Sequence, residues 1–325
     1  MSTVFLGTSE FAAAVLERLA RTDADRPALV LTRPDRPRGR GRRLASPPVA
    51  QTARALGIAL EQPDSVNDPQ ARSLIAAAGR ETAEGVAAGP AAQTVIVCAF
   101  GALIKEPLLS EHEILNVHPS LLPRWRGAAP IERAIMAGDA RTGVSIMRLT
   151  AGLDSGPVCL TAAEPIHPHD TFGSLAPRLS EIGGELLVRA LHEHPPFTEQ
   201  PEQGVTYAEK ISPEDRLLNP HRPAAELERV VRALHPHIGA RVALADGTLL
   251  GVHRAKLIDA EAAGTASPDP AAMSDSEASG VFIHDGRLLL QCTPGVLELL
   301  EVQPPGGRAM EASAYLRGHG PPGRR

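Results

Sequence analysis

Short apolar runs alternate along this chain with stretches whose apolar residues recur at helical spacing. Thr3–Leu6 reads as a first strand. After Gly7-Thr8-Ser9 an amphipathic helix carries Phe11, Val15, Leu16 and Leu19 on one stripe. Residues 28–32 give a second strand, 49–57 and 69–79 have helical spacing, and 80–93 is Ala/Gly-rich and weakly patterned. The run TVIVCA at 94–99 is continuously apolar, as in a central parallel strand covered on both faces. Residues 114–118 form another strand, and Pro130 can open a helix that runs to Ala137. The segment 142–149 alternates as a strand, 157–161 adds one more, and 171–194 closes with an amphipathic helix. Such repetition of strand and helix predicts an α/β fold with a mainly parallel, Rossmann-like sheet. The first turn has a single glycine and no GxGxxG, which disfavours a dinucleotide.

The periodicity changes after residue 194. Residues 195–204 are polar and Pro-containing and read as a linker, VTYAEKIS follows, and a helix spans 224–234. Short alternating strands then occupy 240–245, 249–255, 281–284, 288–292 and 296–302, with Asp246-Gly247 and Asp285-Gly286 as hairpin turns. This is the pattern of a small β-barrel. The segment 259–280, rich in Ala, Ser, Asp and Glu, reads as a mobile loop. A length of 325 residues exceeds one ordinary core. The expected organisation is a domain over 1–194, a linker over 195–210 and a smaller domain over 211–325.

Composition narrows the function classes. The net charge of −5 confines any nucleic-acid footprint to a local basic patch. With one Trp and two Tyr, base stacking on single strands is a poor fit, so RNA contact would be to phosphates and helix shape. Cys98, Cys159 and Cys292 form no CxxC and read as small buried hydrophobes in a reducing compartment. The amino terminus enters a strand directly, and no run approaches the ~18 apolar residues of a membrane span. A soluble cytoplasmic protein is the expectation. His167-Pro-His169 and His235-Pro-His237 pair imidazoles without a third ligand nearby, so no metal is expected.

The densest chemistry lies in ILNVHPSLLPRWRGAAP, residues 114–130. Positions i and i+2 of a strand share a face, so Asn116 and His118 point together at a strand end, where open α/β sheets bind ligands. Alone, such a pair is more often a capped turn and a satisfied histidine than a catalytic site. Asp154, in GLDSG, lies between flexible glycines, where an Asp is usually a turn former. A second feature is the run Arg33, Arg36, Arg38, Arg40, Arg42 and Arg43, opposed only by Asp35, in which Pro and Gly should prevent regular structure. It follows a strand's carboxyl end and therefore shares the rim of the candidate site.

Taken together, residues 114–130 closely resemble the central signature of the folate-dependent formyltransferases. LGTSEFA, RPDRPRGRGRRL, GLDSGP, VTYAEKIS and LELLEVQPPGGRAM fall in that family's order. The resemblance covers most of the chain and thins around 80–92 and 258–280. It implies a Rossmann-like formyltransferase domain followed by an OB-like tRNA-binding domain. It makes Asn116, His118 and Asp154 a catalytic triad: Asn116 and His118 stabilise a tetrahedral oxyanion, and Asp154 orients His118 and assists proton removal. Ser120, Leu121, Leu122 and Pro123 become the folate contact, with 10-formyltetrahydrofolate as formyl donor and no metal. The acceptor it implies is the amino group of methionyl initiator tRNA, met by Arg40, Arg42 and Arg43. Arg222, Arg229, Arg232, Arg241, Arg254 and Lys256 are candidates for a basic carboxyl-domain surface. No membrane and no obligate protein partner are implied. Pro119 and RLLN at 216–219 depart from the family's usual pattern. Relatives apply the same triad to a purine precursor, a sugar nucleotide or formyl-folate hydrolysis, and an inactive RNA-binding descendant is a further alternative. The Arg-rich loop and β-rich second domain favour the tRNA acceptor, and the intact triad favours activity.

Overall fold

A computed structural model describes residues 2–38, 43–78, 94–258 and 280–319, and only the backbone of Arg38 and Arg43. The stretch 80–93, the expected loop 259–280 apart from Gly280, and Arg40 and Arg42 lie outside the described residues. The chain divides into two compact units. One comprises Met1–Pro130, Arg141–Pro165 and Ala176–Ala208; the other comprises Ile131–Ala140, Ile166–Leu175 and Glu209–Arg325.

In chain order the elements begin with β1 (Thr3–Gly7), α1 (Glu10–Leu19), β2 (Leu29–Leu31), β3 (Arg36–Arg38), β4 (Arg43–Ala45) and α2 (Pro48–Leu56). Next come β5 (Ala59–Glu61), α3 (Pro69–Ala78), β6 (Thr94–Cys98), α4 (Leu108–Glu111), β7 (Glu113–His118) and β8 (Arg126–Gly127). They are followed by α5 (Pro130–Ala137), β9 (Arg141–Arg148), β10 (Val158–Pro165), α6 (Phe172–Glu193) and β11 (Tyr207–Ala208).

The first unit is built on a seven-stranded sheet in the order β10-β9-β7-β6-β1-β2-β5. From β7 to β5 every neighbouring pair is parallel, while β9 runs antiparallel to both β7 and β10. The chain fills one side of β1 first and then the other, so the strand order reverses at β1 and β6. A crevice above the carboxyl ends there is the usual ligand position. β1 and β6 are buried along their whole length, because helices cover both faces of a parallel sheet. β9, expected to alternate, is instead buried at every position but its two ends, since it too lies inside the sheet. The Ser9 side chain accepts from Ala12 N and caps α1, whose Phe11, Val15, Leu16 and Leu19 are all buried as their spacing predicts.

The Arg-rich run departs from expectation. Residues 36–38 and 43–45 form an antiparallel ribbon, with Arg36 opposite Ala45 and Pro37 opposite Leu44. Both strands of a two-stranded ribbon are edges, and Pro is compatible with an edge at positions whose nitrogen faces away from the partner strand. Leu44 is largely exposed.

The second unit continues with α7 (Ala224–Leu234), β12 (Ala240–Ala243), β13 (Leu249–Ile258), β14 (Val281–His284), β15 (Arg287–Gln291), β16 (Val296–Gln303), β17 (Met310–Glu311) and α8 (Ala312–His319). Its strands form a curled antiparallel half-barrel of OB-like character, ordered β12-β13-β16-β15-β14 with β17 on β16. Register shifts in β13 beside Arg254 mark irregularities of the kind that bend a strand. At Asp285-Gly286 both residues have positive φ, 51° and 72°, as a tight two-residue hairpin demands. Leu227, Val230, Val231 and Leu234 of α7 pack with Val242, Leu250, Val252, Leu297 and Leu299 into one core. Arg133 holds Asp215 bidentately at 2.9 and 2.8 Å, and that guanidinium keeps the Asp215 carboxyl below the usual range. Cys98 and Cys292 are buried and Cys159 half-buried, all three free, and burial pushes the Cys292 thiol up to about 12. Among the described residues no helix is long and apolar enough to cross a membrane.

Two outcomes follow from this packing. A Cβ added at Gly143 in β9 would collide with the Ala162 carbonyl and come 2.6 Å from Leu121, so Gly143→Ala should cost roughly 1–3 kcal/mol in urea unfolding. In the second unit burial depresses the His235 pKa, His253 and His237 add to the shift, and Glu301 opposes it. A depressed histidine gives stability that is complete above its unfolded value of about 6.5 and is lost as pH falls toward the folded value. The urea midpoint should therefore drop between about pH 7.5 and 5.5, and His235→Phe should flatten that slope.

Candidate functional site

β7 carries Asn116 and His118 to the carboxyl end of the sheet, on one face and nearly sealed, at 8% and 4% exposure. Their neighbours on β9 are Met147 and Ser145. Asp154 arrives from the loop between β9 and β10, with φ +43° and its side chain 14% exposed. Its Oδ1 lies 3.5 Å from Asn116 Nδ2, and its Oδ2 lies 3.7 Å from His118 Nδ1. Thus the structure brings together all three residues singled out from the sequence.

The turn after β7 completes the arrangement. His118 Nε2 lies 2.9 Å from the Trp125 carbonyl. A carbonyl oxygen only accepts, so Nε2 is the protonated nitrogen and Nδ1 is the one turned to Asp154. Gly127 N–H donates to Asp154 Oδ2 at 2.8 Å. Asn116 Nδ2 has two hydrogens, of which Asp154 engages one. The set can therefore present an amide donor, an imidazole nitrogen and a carboxylate to one small polar target, with Leu153 exposed at its edge (59%).

Ser120–Pro123 lie directly beside this cluster. Ser120 is fully buried, its hydroxyl donates to Arg124 O at 2.7 Å, and its carbonyl accepts from Ser145 Oγ at 2.7 Å. Its side chain holds the turn. Leu121, Leu122 and Pro123 are half-buried, Leu122 N–H donates to Ser145 Oγ, and the Leu122–Pro123 peptide is cis. An open cavity of about 270 Å³ runs past Leu122 along Val158, Leu160, Thr161, Thr198 and Gln200. Of the basic residues proposed for nucleic acid, Arg40 and Arg42 lie outside the described residues, as does the Arg43 side chain.

Sequence reasoning missed the residues that hold this turn in place. Gln200 and Thr206, in a stretch read as linker and its sequel, bond to the Asp154 loop and to Trp125. Ser145 sits in a strand with no motif. The only available signal was VTYAEKIS itself, which carries no chemistry that would announce such contacts.

Of the six candidate cations of the second unit, five have partners. Arg222 pairs with Glu226, Arg232 with Glu228, Arg254 with Glu311 and Lys256 with Glu298, at 2.7–3.1 Å, while Arg229 donates to Met136 O. Burial works to raise the Glu298 pKa, but bonds from Arg287 and Lys256 prevail and hold it low. The basic surface for which these residues are candidates is thus partly neutralised. Among the described residues no group of three or more His, Cys, Asp or Glu could hold a metal.

Comparison with known proteins gives consistent matches. The formyl transferase profile matches residues 1–191, and the formyl transferase C-terminal domain profile matches 210–320. The methionyl-tRNA formyltransferase of Gluconobacter oxydans is 41% identical over 321 residues, covering 98% of this chain and 97% of the relative. That of Dechloromonas aromatica is 38% identical over 322 residues, covering 98% and 96%. HypX from Aquifex aeolicus, solved in complex with tetrahydrofolic acid, aligns with a TM-score of 0.60 at 16% identity. It covers 97% of this chain, which spans 47% of HypX, and at that identity the likeness is one of fold.

Proposed function

The chain belongs to the methionyl-tRNA formyltransferase family, and from that premise we propose that it moves the formyl group of 10-formyltetrahydrofolate to the amino group of methionyl initiator tRNA. The folate supplies an activated one-carbon unit, and half-buried Leu121, Leu122 and Pro123 beside the triad suit a partly apolar ring system. Ser120 keeps their turn in shape. In this reading residues 1–194 form the catalytic domain, 195–210 the connection and 211–325 the tRNA-binding domain. A cytoplasmic location belongs to the same reading.

Attack by the amine makes a C–N bond and pushes the carbonyl electron pair onto oxygen, and collapse expels the donor nitrogen. Asn116 offers that oxygen its second amide hydrogen. His118 faces the site through Nδ1, since its Nε2–H is held by the Trp125 carbonyl, and it donates to that oxygen when Nδ1 also carries a proton. Asp154 orients both, takes the amine proton through a water and returns it by the same route to the departing donor nitrogen. A preorganised donor of this kind is typically worth ~10²–10³ in turnover. The attacking amine must be neutral, which a free α-amino group with a pKa of about 8 partly is at physiological pH. The observation that carries this reading is the meeting of Asn116, His118 and Asp154 within 3.5–3.7 Å at one strand end.

Purified protein should formylate charged initiator tRNA and should leave free methionine and glycinamide ribonucleotide unmodified. His118→Ala should be nearly inactive, and equal rates for the two proteins would refute the assignment. We assign Arg40, Arg42 and Arg43 to the tRNA because a guanidinium grips phosphate bidentately and stacks on bases. Arg40→Ala should raise the KM for tRNA and leave folate affinity unchanged; weaker folate binding would count against this role.

A further inference from the structure

Resting on the reading above, we propose that residues 198–208 form a strap that positions the triad, with Gln200 and Thr206 as positioning residues. Thr198 exchanges two backbone bonds of 2.9 Å with Val158 and so anchors the strap to the start of β10. Gln200 Nε2 then donates to the carbonyls of Asp154 and Gly156 at 2.9 and 2.7 Å. Its Oε1 accepts from Nε and Nη2 of Arg126 at 3.0 and 2.8 Å. Two donors and two acceptor sites exhaust what a side-chain amide can do. One residue thereby joins the Asp154 loop to the turn after β7.

Thr206 works on the same turn from the other side. Its Oγ1 accepts from Trp125 N–H at 2.9 Å, and its carbonyl accepts from Arg126 N–H at 2.9 Å. β11 pairs in parallel with β8, and a Cβ on Gly127 would lie 2.7 Å from the Ala208 carbonyl.

The two groups that fix the triad, Trp125 C=O on His118 and Gly127 N–H on Asp154, are main-chain groups of this turn. Their directions depend on positive φ at Trp125 (+63°) and Gly127 (+121°), and Asp154 itself stands at +43°. A non-glycine residue held there costs about 1–3 kcal/mol and persists only where its surroundings over-determine it. Gln200 and Thr206 supply that constraint. Without them Trp125 relaxes, its carbonyl turns away from His118, and the imidazole loses its fixed tautomer. Neither side chain has to touch a reacting atom.

The test compares Thr206→Val, which keeps shape but removes the hydroxyl, with Thr206→Ser, which keeps the hydroxyl. Gln200→Glu still accepts from Arg126 but cannot donate to the Asp154 and Gly156 carbonyls, and it covers the case in which Thr206→Val does not fold. We expect kcat to fall about 10–100-fold in Thr206→Val and Gln200→Glu at little-changed thermal midpoint, with Thr206→Ser within about twofold of wild type. The His118 Nε2–H proton, assigned by its loss in His118→Gln, should be protected from exchange in wild type and Thr206→Ser and exposed in Thr206→Val. In Gln200→Glu the Gly127 amide should exchange faster. Unchanged kcat and unchanged protection, equal loss in Thr206→Ser and Thr206→Val, or a kcat loss that only tracks the unfolded fraction would each overturn the strap's role. If wild type transfers no formyl group, the functional reading fails while the exchange measurements still decide the strap.

Discussion

The Asp154 carboxylate stands beside the carboxyl end of β7 with little of its side chain in water, and a charge so placed must be met by donors. Gly127 N–H meets it at 2.8 Å, and the rest of the site follows from that bond. It joins a loop between two antiparallel strands to a turn after a parallel one, so the carboxylate faces the end of β7. Had the bond been absent, Asp154 would turn to solvent and leave Asn116 and His118 as a buried amide and imidazole without a charge beside them. The sheet supplies the other half: β7 lies between β6 and β9, and its central place in the sheet fixes where Asn116 and His118 point.

Backbone conformation carries unusual weight here. Trp125 and Asp154 both adopt the left-handed region that side chains usually avoid, and each turns a main-chain or carboxylate group onto the triad. Much of the site's precision therefore resides in loops, which are ordinarily the least constrained part of an α/β fold. Dense bonding from residues 198–208 and from Ser120 and Ser145 offsets that freedom. Each bond is worth only about 1 kcal/mol, and their number matters more than any one of them.

The second unit shows a different balance. Its apolar core is continuous from α7 through the half-barrel to α8, while the exposed cations Arg222 and Arg254 sit beside carboxylates. Exposed pairs of this kind contribute about 0–1 kcal/mol each, so a phosphate backbone can compete for the cation at small cost. Such a surface binds polyanions more weakly than one of unpaired arginines. The density of unopposed arginine in the sequence is greatest at 33–43, in and around the β3–β4 ribbon of the first unit.

Local pattern alone determined the elements that rest on periodicity. The apolar run at 94–98, the stripe of α1, the spacing of Asn116 and His118 on one face, and the Asp-Gly turn at 285–286 were all legible, because a side chain's face is fixed by the dihedral repeat of its own segment. The ribbon at 36–45 and the full burial of β9 were not, since pairing and coverage depend on what the rest of the chain places alongside. No local pattern says that Asp154 meets a residue 38 positions away, which only the family resemblance implied, and only the tertiary structure decided that Gln200, in a stretch resembling a linker, reaches back 46 positions to the same loop. Periodicity encodes which way a residue faces. Which donor meets which acceptor is settled by topology, and an amide in a polar stretch looks the same in sequence whether it bonds to water or to a buried loop.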